Sequence, residues 1–238
     1  MPELAAIAHR LARDVARLEW HTPSHVYNPL QYAWSAQRIY LQRYGAKRGR
    51  VLLVGMNPGP WGMAQTGVPF GNVTTVREWF RIETELTRRL PVQHARYPIL
   101  GIRCHRDEGS GKRLWGWAQR RFGTPERFFE NFFVWNYCPL LFLGRNRNLT
   151  PSALAADEAR ALAQVCDQAL GQVIGALRPI AVVGIGRFAE RRVRDLVGDR
   201  IPVGYLPHPS PASPAANRDW PALAEQALAP WLSGNGAA

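Results

Sequence analysis

Apolar residues recur at helical spacing near the start of the chain, where Leu4, Ile7, Ala8, Leu11, Val15 and Leu18 share one face. The pattern predicts an amphipathic helix over residues 3–20, stopped by His21-Thr22-Pro23-Ser24. A second helical stretch runs from Pro29 to Tyr44 and ends at Gly45 in a basic turn. The period then changes. Val51 to Gly55, Phe132 to Trp135, Ile180 to Val183 and Val203 to Leu206 are apolar runs of strand length, each followed by loop residues. Strands alternating with helical patterns predict an α/β fold, a parallel sheet with helices on both faces.

Ligands of such sheets bind beyond the carboxyl ends of the strands. Here those ends read NPGP, NYCP, GIGR and HPSP, so the chemistry is expected in four loops. Gly109 to Lys112 reads as an exposed tip, and SGNGAA at residues 233–238 as a disordered tail. With 238 residues and 46% hydrophobic content, the remainder, 1–232, is expected to form a single domain.

Charge narrows the partner. The formal net charge is +12, and only two of the 30 basic residues, Lys47 and Lys112, are lysine. That excess predicts attraction to a polyanion, with nucleic acid the leading choice. A background preference for Arg over Lys would explain the choice of base but not its surplus over acid. No run of about 18 apolar residues is present, and the N-terminal stretch has no unbroken apolar segment, so neither a membrane span nor a signal peptide is expected. An intracellular location follows: cytoplasm or nucleoid in a bacterium, nucleus in a eukaryote. Cys104, Cys138 and Cys166 are odd in number and widely spaced, which predicts buried free thiols and no disulfide framework, zinc site or iron–sulfur cluster.

The loop from Gly55 to Asn72, GMNPGPWGMAQTGVPFGN, is dense in glycine and proline and therefore stiff. Taken alone, Asn57 reads as an Asx-turn residue before Pro58 or as a catalytic amide, and Phe70 as core. His208, between prolines after a strand, reads as a hydrogen-bonded loop residue or a functional imidazole. Asn136, at the end of an apolar run, must find partners for its amide, as a loop-fixing group or a ligand reader. Gly184-Ile185-Gly186-Arg187-Phe188-Ala189 matches the G-x-G-x-x-A dinucleotide fingerprint. The next strand, however, ends in Leu206-Pro207-His208 and not in the acidic residue that would hold a ribose. A phosphate nest at a helix N-terminus is the other reading. The opening Met1-Pro2-Glu3-Leu4 matches formamidopyrimidine glycosylases, but the match ends there.

Together the loops are more specific than any one of them. VYNPLQYAW (Val26 to Trp34), GMNPGPWGMAQTGVPFG (Gly55 to Gly71), VWNYCPLLFL (Val134 to Leu143), RNLTP (Arg147 to Pro151), VVGIGRFAE (Val182 to Glu190) and HPSP from His208 resemble, in order, the single-strand-selective monofunctional uracil-DNA glycosylases. The resemblance implies a three-layer α/β/α sandwich around a four-stranded parallel sheet. It implies monofunctional hydrolysis of the N-glycosidic bond of uracil in single- and double-stranded DNA, by a monomer without metal or cofactor. By motif, Asn57 would hold the hydrolytic water, Phe70 stack on the flipped base, Asn136 read its edge and His208 contact the pyrimidine carbonyl. Gly59 and Met63 would line the C5 side, leaving room for an ordered water. Pro58, Gly184, Gly186, Arg187, Ser210, Ala212, Ser213 and Arg218 would meet DNA.

The chemistry fits those assignments. A base inside a duplex must leave the stack to be reached. Bond cleavage then separates a sugar cation from a pyrimidine anion, and His208 is the candidate donor to O2. Asn57 can position water but cannot remove a proton, and no carboxylate lies in the loops. A 5-hydroxymethyl group would replace the bonds of the ordered water while a thymine methyl would not, so uracil and 5-hydroxymethyluracil are the expected substrates. Neither lysine lies in the four loops, leaving the N-terminal amine as the remaining candidate for a lyase step. The other functional readings are a catalytically inactive damaged-DNA-binding module and a dinucleotide-binding oxidoreductase.

Overall fold

The computed structural model describes residues 3–87, 89–214 and 216–232. Met1-Pro2 and residues 233–238, with the expectations placed on them, lie outside the described residues.

The amphipathic opening forms α1 (Glu3–Val15), whose inward face carries Leu4, Ile7, Ala8, Leu11 and Val15. It stops short of the predicted residue 20, because turn bonds from Arg17 N–H to Asp14 O and from Leu18 N–H to Val15 O close the chain there. A short strand β1 (His25–Tyr27) follows. The predicted 29–44 helix is two helices, α2 (Pro29–Tyr32) and α3 (Trp34–Tyr44), separated at Ala33 with φ −110°. Pro29 opens α2 where its missing N–H costs nothing.

Strand β2 (Val51–Gly55) leads into the Gly/Pro loop and the single turn α4 (Met63–Thr66). Helices α5 (Gly109–Phe122) and α6 (Pro125–Asn131) precede β3 (Phe132–Asn136). The short strands β4 (Leu141–Leu143) and β5 (Asn148–Leu149) come next, then α7 (Ala156–Leu177). Strand β6 (Ala181–Ile185), α8 (Arg187–Val197), β7 (Val203–Leu206) and α9 (Ala216–Leu232) complete the order. Asp219 breaks α9 with non-helical backbone, and its Oδ1 accepts from Ala222 N–H to cap the second half ahead of Pro221.

The four predicted strands form one parallel sheet in the order β3-β2-β6-β7. Successive strand residues face opposite sides, and every residue of β2, β3 and β6 is buried, so both faces of the sheet are covered. A second, antiparallel sheet, β1-β4-β5, was not predicted. Its strands are two or three residues long, too short to show a period, and exist through pairing of His25 with Leu143 far along the chain.

Candidate active site

Register carries the four loops to one edge of the parallel sheet. Gly55 lies opposite Asn136, and Ile185 opposite Leu206, so the chain leaves each strand at the same level. Gly186 N–H donates to Leu206 O, tying the loop after β6 to the one after β7. Gly186 has φ +89°, and a Cβ on it would stand 3.2 Å from the Cβ of His208. Glycine is thus required there both by backbone and by the approach of the imidazole.

The long loop after β2 is pinned from within. Gln65, fully buried, donates to Pro60 O and Pro98 O and accepts from the N–H groups of Leu100 and Gly101. Thr66 Oγ1 donates to Gly71 O, and Trp115 Nε1 to Pro69 O. Phe70 is held at φ +55°, a left-handed conformation uncommon for a bulky residue, and such strain persists where surroundings over-determine it. The Phe70 ring lies 6.0 Å from that of His208.

Asn57 Nδ2 donates to Leu140 O at 3.1 Å, which turns Oδ1 away from that carbonyl and leaves it as an acceptor. Asn136 is buried; its Nδ2 donates to Met63 Sδ at 3.2 Å, and its Oδ1 is buried without a partner. A Cβ on Gly55 would stand 2.4 Å from that Oδ1 and 2.6 Å from Phe70 Cε2, so the absent side chain of Gly55 makes the space where these groups converge. An unpaired buried acceptor is costly, and its position beside an aromatic edge makes it a candidate ligand contact.

His208 Nδ1 accepts from Ser210 N–H, which fixes the neutral tautomer with the proton on Nε2. Burial pushes its pKa down to about 4, so the ring is an uncharged donor at neutral pH. Ser210 Oγ accepts from Ala212 N–H, and its carbonyl accepts from Ser213 N–H, shaping a turn with Ala212 exposed at its tip. Arg113 of α5 braces this turn, donating to Pro209 O and Asn217 Oδ1, while Asn217 donates to Pro211 O. Arg218 is exposed beyond it.

The segment Gly109 to Lys112 is not an exposed tip. It is the first turn of α5, with Ser110 and Gly111 buried. A Cβ on Gly111 would stand 2.0 Å from Phe70 O, and one on Gly109 2.7 Å from Pro211 Cγ, so the glycines exist for close packing against two of the site loops. Glu108, immediately before them, places its carboxyl against the same loop after β2 that carries Phe70. A Cβ on Gly59 would lie 2.2 Å from Glu108 Oε2, and one on Gly62 2.6 Å from the same atom. A carboxyl group therefore stands beside Gly59, supplied by a residue outside the four loops. Proximity in space, unseen in sequence, brings Glu108 there. Desolvation pushes its pKa up to about 7, against the backbone N–H groups of Gly62 and Trp61 that bond it.

Other site expectations settle differently. Gly184 lies inside β6, where a Cβ would stand 2.3 Å from the backbone of Glu190, so the fingerprint's first glycine serves strand–helix packing. Arg187 is exposed, but its guanidinium bonds Glu190 at 2.8 Å and stacks 3.8 Å from the Tyr205 ring centroid. Pro58 is buried. Lys112 pairs with Asp107 on the turn of α5, and Lys47 is exposed just before β2, at the opposite edge of the sheet from the loops. The three cysteines are free and buried. Among the described residues no three His, Cys, Asp or Glu side chains cluster as a metal site, and no helix is long and apolar enough to cross a membrane.

Residues 42–230 match the model of the uracil DNA glycosylase superfamily. The chain is similar to the single-strand selective monofunctional uracil DNA glycosylase of Bos taurus, 46% identical over 207 residues, covering 85% of this chain and 76% of that one. It is also similar to the Rattus norvegicus protein of the same description, 44% identical over 224 residues, covering 92% and 80%. The solved structure of wild-type Pedobacter heparinus SMUG2 superposes with a TM-score of 0.65 at 15% identity, covering 94% of this chain and 96% of that one, a likeness of fold.

Proposed function

The chain belongs to the single-strand selective monofunctional uracil-DNA glycosylases, within the uracil DNA glycosylase superfamily, and from that premise we propose that it flips uracil out of DNA and hydrolyses its N-glycosidic bond, leaving an abasic site for base excision repair.

The observation that carries this reading is the amide of Asn136. Its buried, unpartnered Oδ1 is an acceptor for uracil N3–H, while the second proton of Nδ2 remains for O4. Cytosine presents the reverse pattern at both positions, so an amide held this way rejects it. Phe70 offers its ring as the replacement for the lost base stack, and Gly55 gives both groups room to approach.

Leaving-group stabilisation then dominates the chemistry. His208 aims a neutral Nε2–H donor at O2, where negative charge grows as the bond lengthens, and the bond it makes strengthens in the transition state. The proton stays on His208. Asn57, with Nδ2 occupied by Leu140 O, offers Oδ1 to orient water toward the sugar cation. No amine suited to Schiff-base formation stands among the described site residues, which fits hydrolysis without a lyase step.

The substrate range is proposed to include 5-hydroxymethyluracil and to exclude thymine, on single strands and on duplexes. The net charge of +12 favours DNA of either form. The test is incubation of the purified protein in EDTA with oligonucleotides carrying uracil, 5-hydroxymethyluracil or thymine, followed by alkaline cleavage of abasic sites. Strand breaks at the first two and none at thymine are expected; release of thymine as fast as uracil overturns the substrate range.

A further inference from the structure

Most arginines near the four loops are engaged by other protein groups. Arg187 and Arg194 bond Glu190, Arg192 bonds Asp167, and Arg113 braces the turn after HPSP. Arg106 differs. Its guanidinium lies 4.1 Å from the centroid of the Trp61 ring, and among the described residues no ion pair or side-chain hydrogen bond engages it. The acid next to it, Asp107, is taken by Lys112 at 2.6 Å, and Glu108 turns its carboxyl onto the N–H groups of Trp61 and Gly62. A guanidinium seated on a ring face is ordered without spending its donors or its charge. Arg106 is exposed and Trp61 half-buried, so those donors face solvent.

The stack stands within reach of two of the site loops. Trp61 is four positions past Asn57 in the loop after β2, so their α-carbons are at most about 14 Å apart. Arg106 is three positions before Gly109, at most about 11 Å away, and Gly109 packs on Pro211 of the turn after HPSP. We propose that Arg106, seated on Trp61, holds a backbone phosphate of the DNA strand that carries the target base. The inference rests on the proposed function, which puts DNA across these loops. A guanidinium presents paired N–H donors that match two phosphate oxygens, and its plane stays on the indole while its edge bonds. At about 3.4 Å of helix axis per nucleotide of one strand, the reach from Asn57 is about four nucleotides. The contact reads no base; it adds electrostatic affinity and fixes the register of the strand.

Counterion release supplies the test, because each phosphate contact on a single strand contributes about 0.7 to the slope of log affinity against log salt. Binding is measured over a series of NaCl concentrations with a single-stranded oligonucleotide carrying one 2′-fluoro-2′-deoxyuridine, whose fluorine blocks departure of the base. The proteins are wild type, Arg106→Gln, Arg106→Lys and, as an equal loss of charge at the opposite edge of the sheet, Lys47→Gln. Arg106→Gln is expected to lower the slope by about 0.7 and the affinity at about 0.15 M salt by about fourfold, with Lys47→Gln unchanged in both. Arg106→Lys should keep the slope, because the charge remains. Release of uracil from the natural oligonucleotide at saturating enzyme should stay within about twofold of wild type in every variant, since a binding contact made equally before and during reaction does not change the rate once bound. A slope for Arg106→Gln equal to that of Lys47→Gln overturns the inference and leaves the glycosylase reading intact. So does a loss of rate at saturation with the slope unchanged, which makes Arg106 a brace for its loop. A wild type that releases no uracil removes the glycosylase reading, while the slopes still decide the phosphate contact.

Discussion

The side-chain nitrogen of Asn136 lies 3.2 Å from the thioether sulfur of Met63, and this contact orients the amide that faces the base. Rotating the amide by half a turn would set Oδ1 against a sulfur that has no proton to give. In the proposed reading, this weak N–H···S bond fixes which edge of a pyrimidine the amide presents itself to.

Met63→Leu tests that role. Met and Leu are similar in volume, so the buried site should repack at a cost below about 1.5 kcal/mol. With the sulfur gone, the amide samples both orientations. Uracil release should fall about tenfold, roughly the cost of one unsatisfied buried donor, and the preference for uracil over cytosine should shrink. Single-turnover assays on matched uracil and cytosine oligonucleotides measure both. A wild-type rate with unchanged preference would show that other contacts hold the amide.

His208 should titrate far below an ordinary histidine. Burial lowers its native pKa to about 4, whereas the unfolded chain binds the proton near 6.5. The unfolded state thus binds more protons between those values, and the contribution of this group to stability falls as pH drops from 6.5 toward 4. Nitrogen-detected NMR of the imidazole should give a midpoint near 4 and a proton on Nε2 at pH 7. A midpoint near 6.5, or a proton on Nδ1, would contradict the donor assignment.

In the proposed reading the turn after HPSP meets the duplex, and its exposed tip, Ala212, has only a methyl group to fill the space a flipped base leaves. Ala212 is exposed, and the turn is braced by Arg113, so the tip is positioned but short. Unstacking a base costs a few kcal/mol per step, and a short tip offsets little of it. Uracil in single strands and opposite guanine should be released faster than uracil opposite adenine. Ala212→Arg should raise the rate on U·A selectively. Equal rates of wild type on all three would transfer the wedge role to Arg218 or to another loop.

Much of this was legible in the sequence. The four core strands stood out because a parallel sheet covered on both faces needs unbroken apolar runs, and their ends named the loops that hold Asn57, Asn136 and His208. Three features were not legible. The β1-β4-β5 sheet depends on pairing between distant short segments. The turn at Gly109 to Lys112 looked like a loop tip because Gly-Ser-Gly is loop chemistry; its glycines answer to contacts with Phe70 and Pro211 that only the fold creates. The fingerprint at Gly184 and Gly186 had the opposite fault, a motif whose glycines are explained by packing against Glu190 and His208. Met63 has the sequence signature of a pocket wall, and its hold on Asn136 arises only from the folded arrangement.

The account stands most directly on the reaction itself. Purified wild type, Asn57→Ala and His208→Ala are each mixed in excess, in EDTA, with a single-stranded oligonucleotide carrying one uracil, and alkali-labile sites are followed in time alongside binding. The account predicts rapid formation of abasic sites by wild type. It predicts a loss of about 10² to 10³ in rate for His208→Ala with binding retained, the usual effect of removing one donor to a developing anion. Asn57→Ala should also be slowed, without change in the bases accepted. A wild type that binds uracil DNA and forms no abasic site, or a His208→Ala variant at the wild-type rate, would contradict it.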